Sequence, residues 1–265
     1  MTEGLDTACR SIVGARSRQE DAAVLWPGAT TFSIEGRDWP EPPDGVLLGV
    51  LADGMGGHAG GNIASEAACD LFVRAFSALK GDRRARLRRA LDAANQGVAE
   101  IVKRNPDLQG MGSTLIGCAV SDGDLDWVSV GDSPMYLIRG GEIALLNEDH
   151  SLAPALDQLV AEGKLSAEAA RQDPRRHMLR SAITGDELEL VDQSQKPLKL
   201  LGSDILVIAS DGLLTLAPDE IARVALGYAS GGAAVIADAL LREVDNQREP
   251  MQDNTTVLVV RVASS

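Results

Sequence analysis

The chain has 265 residues, 45% hydrophobic and 24% charged, the balance of a globular protein with a sizeable core and not of a disordered or fibrous chain. Its 25 basic and 39 acidic residues leave a net charge of −14, which argues against nucleic acid or an anionic membrane as partner. Aromatic residues make up only 3%, too few for a surface that stacks on bases or sugars. Cys9, Cys69 and Cys118 are far apart and form no CxxC pair, so neither a disulfide framework nor a thiolate zinc site is expected. No apolar run is long enough to span a bilayer. The opening MTEGLDTACRS lacks a basic region followed by an apolar stretch, so a cytoplasmic, reducing setting is expected.

In chain order, the proline- and acid-rich stretch Glu35–Gly45 reads as a loop. Val46–Ala52 (VLLGVLA) then has the length and composition of a buried strand. It runs into DGMGGHAGG, Asp53–Gly61, where five glycines in nine residues let backbone approach a ligand closely. That segment is neither GxGxxG nor a Walker loop, so a nucleotide-binding turn is disfavoured. Ala64, Ala67, Ala68, Leu71, Phe72, Ala75 and Phe76 follow helical spacing, as do Leu87, Ala90, Leu91, Ala94, Val98, Ile101 and Val102, with Pro106 stopping the second helix. Arg83, Arg84, Arg86, Arg88 and Arg89 lie mostly off that stripe and read as a solvated face.

Thr114–Val120 and Leu125–Val130 flank Ser121-Asp122-Gly123-Asp124, a hairpin signal, and Gly140-Gly141 marks another between Met135–Ile138 and Ile143–Leu146. Asp204–Ala209 and Thr256–Val262 read as further strands, with a helical stripe at Ala233, Ile236, Ala237, Leu240, Leu241 and Val244 between them. This is not a regular βαβ alternation. It predicts an α+β fold, antiparallel sheets covered by helices.

Asp53, Asp211 and Asp253 each stand where an apolar strand ends or begins, beside Gly54, Gly212 and Asn254. Any one alone is an ordinary turn or cap residue. As a set, carboxylates converging on a sheet rim repel one another and are tolerable only if protonated or bridged by a cation. All-oxygen ligation of that kind suits Mg²⁺ or Mn²⁺.

Seven segments now stand in order: RSRQED (Arg16–Asp21), LADGMGGHAGGNIAS (Leu51–Ser65), MGSTL (Met111–Leu115), VGDS (Val130–Ser133), EDHS (Glu148–Ser151), IASDGLL (Ile208–Leu214) and DNTTVLVV (Asp253–Val260). The series resembles the metal-dependent serine/threonine protein phosphatases of type 2C, in their compact bacterial form, over residues 16 to about 262. The resemblance implies one PPM-type catalytic domain over residues 1–265, a four-layer α-β-β-α sandwich with two central antiparallel sheets flanked by helix pairs. It implies two Mn²⁺ or Mg²⁺ ions, with room for a third, and hydrolysis of phosphoserine and phosphothreonine by a metal-activated water. The expected partners are phosphoproteins and a bacterial Ser/Thr kinase that the enzyme opposes, with the chain itself a monomer.

Carried over by motif, Asp53 bridges both metals and the Gly54 carbonyl completes one shell, while Asp211 and Asp253 bind the second metal. Glu20 and Asp21 hold metal-bound waters, Asp132 belongs to the third ion, Arg16 grips the phosphate and His58 donates a proton to the leaving alkoxide. Glu20, Asp21, Asp53, Asp132, Asp211 and Asp253 sum to −6, and Arg16 makes this −5. Two divalent ions raise the total to about −1 and a third to about +1, so a phosphate dianion needs the metals to bind.

Leu152–Gly185 resembles the family's flap, with two short helices broken near Gly163 and Ser166 and with Arg175, Arg176 and Arg180 as a basic patch able to steer phosphopeptides. Ser113 and Thr114 read as residues at the start of a strand, His150 as structural and His177 as a surface helix position. Gln19 stands where bacterial members carry Asn, and Pro134 where they carry Arg. Neither change removes an expected ligand. A phosphatase for a sigma-factor regulator, or a metal-poor binding module on the same fold, is the alternative; the second requires lost ligands, and the three core aspartates are all present.

Overall fold

The computed structural model describes residues 4–31, 34–42, 45–56 and 60–263. The strands are β1 (Leu5–Ile12), β2 (Asp21–Trp26), β3 (Leu47–Met55), β4 (Gly112–Ser113), β5 (Leu115–Ser121), β6 (Asp124–Val130), β7 (Met135–Arg139), β8 (Glu142–Leu145), β9 (Asp192–Gln193), β10 (Leu198–Lys199), β11 (Ile205–Ala209) and β12 (Thr255–Val262). The helices are α1 (Gly60–Ala78), α2 (Arg83–Arg104), α3 (Ala153–Ala161), α4 (Ala167–Gln172), α5 (Pro218–Gly227) and α6 (Ala233–Asn246). One sheet runs β1-β12-β11-β7-β8 and the other β10-β6-β5-β3-β2, with β4 added to β3 and β9 to β6.

Three apolar layers hold these elements together. Along β3, Leu48, Val50 and Ala52 face α1 and α2, whereas Leu47 and Leu51 face the other sheet. Along β12, Val257 and Val259 pack under α5 and α6, whereas Leu258 and Val260 point into the space between the sheets. Period-two alternation of strands buried on both faces thus places one core between the sheets and one under each helix pair. The result is the predicted four-layer α-β-β-α sandwich. Phe72 and Phe76 on α1 are fully buried, each contributing roughly 2 kcal/mol by leaving water. Gly117 on β5 makes room for this, since a Cβ there would lie 2.1 Å from the Phe72 ring.

Local chemistry sets the helix ends. Asp82 caps α2 by accepting from the Ala85 amide at 3.1 Å, and Lys103 and Arg104 oppose the dipole in its last turn before Pro106 ends it. The Glu220 carboxylate accepts from the Ala217 amide at 2.9 Å at the start of α5. Ser166 caps α4, and the break between α3 and α4 falls at Gly163, whose φ is +70°, as the sequence predicts.

Two expectations need correction. Arg86 is not on a solvated face: it is 2% exposed, with its guanidinium 4.0 Å above the Phe76 ring and donating to the Phe76 carbonyl. Arg83 likewise donates to the buried Asp126 carboxylate at 2.7 Å. Secondly, β1 and β2 were missing from the predicted strands. The polar residues of LDTACRSI hide the pattern of β1, whereas AAVLW in β2 is a short apolar run that was passed over; β2 is buried because α1 and both sheets close around it.

Candidate metal centre

The ends of β2, β3 and β11 and the start of β12 converge at one rim of the sandwich. Asp21 opens β2 and is the register partner of Asp53 near the end of β3, so both carboxylates stand on one face of the sheet. The Asp53 backbone is fixed from both sides: its amide donates to Thr114 Oγ1 at 3.0 Å, and its carbonyl accepts from the Thr114 amide at 2.9 Å and the Ser113 hydroxyl at 2.8 Å. The GST segment therefore holds Asp53 in place. Gly54 follows because nothing larger fits; a Cβ would lie 2.1 Å from the Gly61 carbonyl oxygen and 2.5 Å from that of Glu20.

Asp211 starts a short 3-10 helix directly after β11. The preceding Ser210 hydroxyl donates to Asp21 Oδ2 at 2.8 Å and accepts from the Thr256 amide at 2.9 Å, linking β2, β11 and β12. Asn254 ties the loop carrying Arg16 and Glu20 to the start of β12. Its side chain donates to the Val13 and Arg18 carbonyls at 2.8 and 3.0 Å and accepts from the Glu20 amide at 2.7 Å. Gly14, at φ +64°, lets that loop lie on the chain, since a Cβ would meet the Asp253 carbonyl at 2.5 Å. Gln19 accepts from the Asp21 amide at 3.0 Å.

Arg16, Glu20, Asp53, Gly54, Asp132, Asp211 and Asp253 all line one cleft of about 300 Å³, with Asp21 buried behind it. Burial, then the fields of Asp211 and Asp253, push Asp21 up to about 7 against the hydrogen bond from Ser210. Asp53 is raised well above the carboxylate range by burial, then by Asp21, Asp211, Asp132 and Asp253. Burial, then Asp211 and Asp149, raise Asp132 to about 7, and burial with the field of Asp253 raises Asp211. Electrostatically this is a site short of positive charge.

Two observations bear on whether a cation fits. Asp21 Oδ1 and Asp211 Oδ1 are buried with no hydrogen-bond partner among the described residues, an arrangement that costs free energy unless a cation or proton satisfies it. On the other side, among the described residues no three Asp, Glu, His or Cys side chains stand close enough to form a finished cage. The carboxylates line a shared cleft that an ion would have to draw together. The strand ends fix where the partnerless oxygens and mutually raised carboxylates stand, and rotation of their side chains would gather them around an ion. The donor set fits a hard divalent ion.

Arg16 is exposed and ion-paired with Asp253 Oδ2, while the Asn254 amide donates to Asp253 Oδ1 at 2.8 Å. His58 lies outside the described residues. His150 is buried and accepts from the Gly131 amide through Nδ1 at 3.2 Å, the structural role expected of it. His177 departs from expectation: it sits in a turn, not a helix, and lines the cleft with Leu179. Nothing in local sequence marks it, because only the return of the chain after α4 carries it there. Ser210 and Asn254 were likewise passed over as positioning residues, although each adjoins a predicted ligand.

A rim of buried acidic residues at one end of two antiparallel sheets flanked by helices places the chain among the α-β-β-α sandwich proteins. The sequence model described as "Protein phosphatase 2C" matches residues 37–220. The serine/threonine protein phosphatase PstP of Mycobacterium tuberculosis (strain CDC 1551 / Oshkosh) is 34% identical over 224 residues, covering 82% of this chain and 41% of that protein. The chain thus spans less than half the length of that relative. A crystal structure of the M. tuberculosis phosphatase PstP/Ppp superposes with a TM-score of 0.78 at 30% identity, covering 98% of this chain and 99% of the other. A PstP catalytic domain in complex with two manganese ions gives 0.73 at 28% identity, covering 98% and 99%. The chain belongs to the protein phosphatase 2C family.

Proposed function

We propose that this chain is a serine/threonine protein phosphatase that hydrolyses phosphoserine and phosphothreonine in proteins and opposes a Ser/Thr kinase. The observation that carries the reading is the pair of buried, partnerless oxygens of Asp21 and Asp211 in a rim that also presents Arg16. Acidic groups alone repel a phosphate dianion, and the cleft becomes a phosphate site only when cations balance them. The manganese in the PstP catalytic domain complex supports the same donor chemistry here.

In this reading Asp53, the Gly54 carbonyl, Asp211 and Asp253 hold two Mn²⁺ or Mg²⁺ ions, Glu20 and Asp21 support them through water, and Asp132 serves a third. When bound, such ions supply positive charge for phosphoryl oxygens and lower the pKa of water toward neutrality. Arg16 exchanges part of its contact with Asp253 for the phosphoryl oxygens, presenting two parallel donors from its planar fork. Ser210, Thr114 and Asn254 keep the carboxylates in position while substrate binds. His58 donates the proton to the leaving alkoxide. The 152–185 insert is the flap of one domain spanning residues 1–265, and the protein works as a cytoplasmic monomer. Among the described residues, no helix is long and apolar enough to cross a membrane.

The test is hydrolysis of a phosphoserine peptide with Mn²⁺ and with excess chelator. Turnover that needs the ion is expected. Chelation should also abolish inorganic phosphate binding in calorimetry, and phosphate affinity that survives it contradicts the charge argument.

A further inference from the structure

The insert between β8 and β9 carries three consecutive basic residues, Arg175, Arg176 and His177, and their side chains differ in availability. Arg176 is held by two hydrogen bonds to Asp157 on α3, at 2.8 and 2.9 Å. Arg175 is held by two to Asp173, at 3.1 and 2.9 Å. His177 is exposed, has no hydrogen-bond partner among the described residues, and lines the same acidic cleft as Arg16. It lies close enough to favour the ionised Asp211 carboxylate.

The turn that presents His177 is anchored on both sides. Before it, Arg176 ties the chain to α3. After it, the Met178 carbonyl accepts from the Leu152 amide at 3.0 Å, the Arg180 amide donates to the His150 carbonyl at 2.8 Å, and Ile183 exchanges backbone hydrogen bonds with Ser113. These bonds fix the backbone that carries the imidazole, so only the side chain itself remains to be ordered when a ligand binds.

Position within the cleft decides what it can touch. A phosphoryl group must sit against the carboxylate floor, where cations can balance it. The ester oxygen and peptide chain then lie among the other residues of the cleft, which include His177, exposed, and the half-buried Leu179. Neutral or charged, an imidazole offers at least one N–H.

We propose that His177 is a specificity-determining residue of this chain, donating a hydrogen bond to an acceptor oxygen on the peptide side of a bound phosphoserine or phosphothreonine. The inference rests on the phosphatase reading above. It differs from the steering role expected of Arg175, Arg176 and Arg180, the first two of which are held by carboxylates of the insert.

The experiment compares His177→Ala and His177→Asn with the unsubstituted protein on a phosphoserine peptide and on p-nitrophenyl phosphate, in Mn²⁺. For His177→Ala we expect KM for the peptide to rise about tenfold, the equivalent of one lost hydrogen bond, with kcat falling less than about threefold. The loss in kcat/KM on the peptide should exceed that on p-nitrophenyl phosphate by about fivefold or more. His177→Asn, which keeps a donor, should recover much of the KM. Anisotropy with a nonhydrolysable phosphonate peptide reads the same contact as a Kd without turnover, so failure of catalysis and failure of this contact are separable. An unchanged peptide KM and Kd, equal losses on both substrates, or weakened Mn²⁺ binding in His177→Ala would each overturn the assignment.

Discussion

Asp21 and Asp53 are register partners on adjacent antiparallel strands, and each carries a carboxylate raised far above its ordinary range. Like charges directly across a strand pair repel, and here burial multiplies the effect. The pair is tolerable only when a proton or a cation offsets the repulsion.

Stability of the metal-free protein should depend on pH with an inverted sign. An aspartate whose folded pKa is raised binds its proton more tightly folded than unfolded, so lowering pH favours the folded state. The window lies between the ordinary aspartate value and the value of about 7 that burial and neighbouring carboxylates impose on Asp21 and Asp132. In chelator, the melting temperature should therefore rise by about 5 °C between pH 8 and pH 5.5. Mn²⁺ should remove most of that slope. A metal-free melting temperature that falls over this range by differential scanning fluorimetry contradicts the electrostatics.

Asp211→Asn removes a charge from the rim but little volume. We expect kcat/KM on phosphopeptide to fall by at least about 100-fold, while the metal-free protein melts no lower than the parent, because a buried repulsion is relieved. Near-parental activity in this variant eliminates Asp211 as a ligand.

Gly54→Ala places a Cβ 2.1 Å from the Gly61 carbonyl oxygen and 2.5 Å from that of Glu20. Both neighbours are backbone, so the rim must move. Destabilisation of about 3 kcal/mol is expected in urea denaturation, with loss of Mn²⁺ binding beyond what the stability change explains.

Arg16→Lys tests the planar fork. The ion pair with Asp253 is largely exposed, at 52% and 36% for the two side chains, so stability should stay within about 0.5 kcal/mol. Competitive inhibition by inorganic phosphate should weaken by about tenfold, since lysine is a point charge. Unaltered phosphate inhibition would take Arg16 out of the phosphate contact.

The short apolar runs and helical stripes determined most of the elements, because strand and helix periodicity are local properties. VLLGVLA reads as a buried strand from its length and composition, whereas the alternation of Leu47 and Leu51 toward one core with Leu48 and Val50 toward the other comes from the packing. The acidic residues at strand ends were legible for the same reason, as breaks in apolar runs. Their assignment as a set came from order along the chain, matching a known series of motifs.

Tertiary structure alone decided the rest. Arg86 reads as solvated in one helix, yet packs on Phe76 of another. β1 is nearly featureless as sequence and becomes a strand by pairing with β12, whereas β2 carries a short apolar run, AAVLW, that pairing with β3 makes a strand. His177 comes within the field of Asp211 only because hydrogen bonds more than twenty residues apart return the insert to the rim. A residue's neighbours in space are set by long-range closure, whereas its spacing encodes only the face of the element on which it stands.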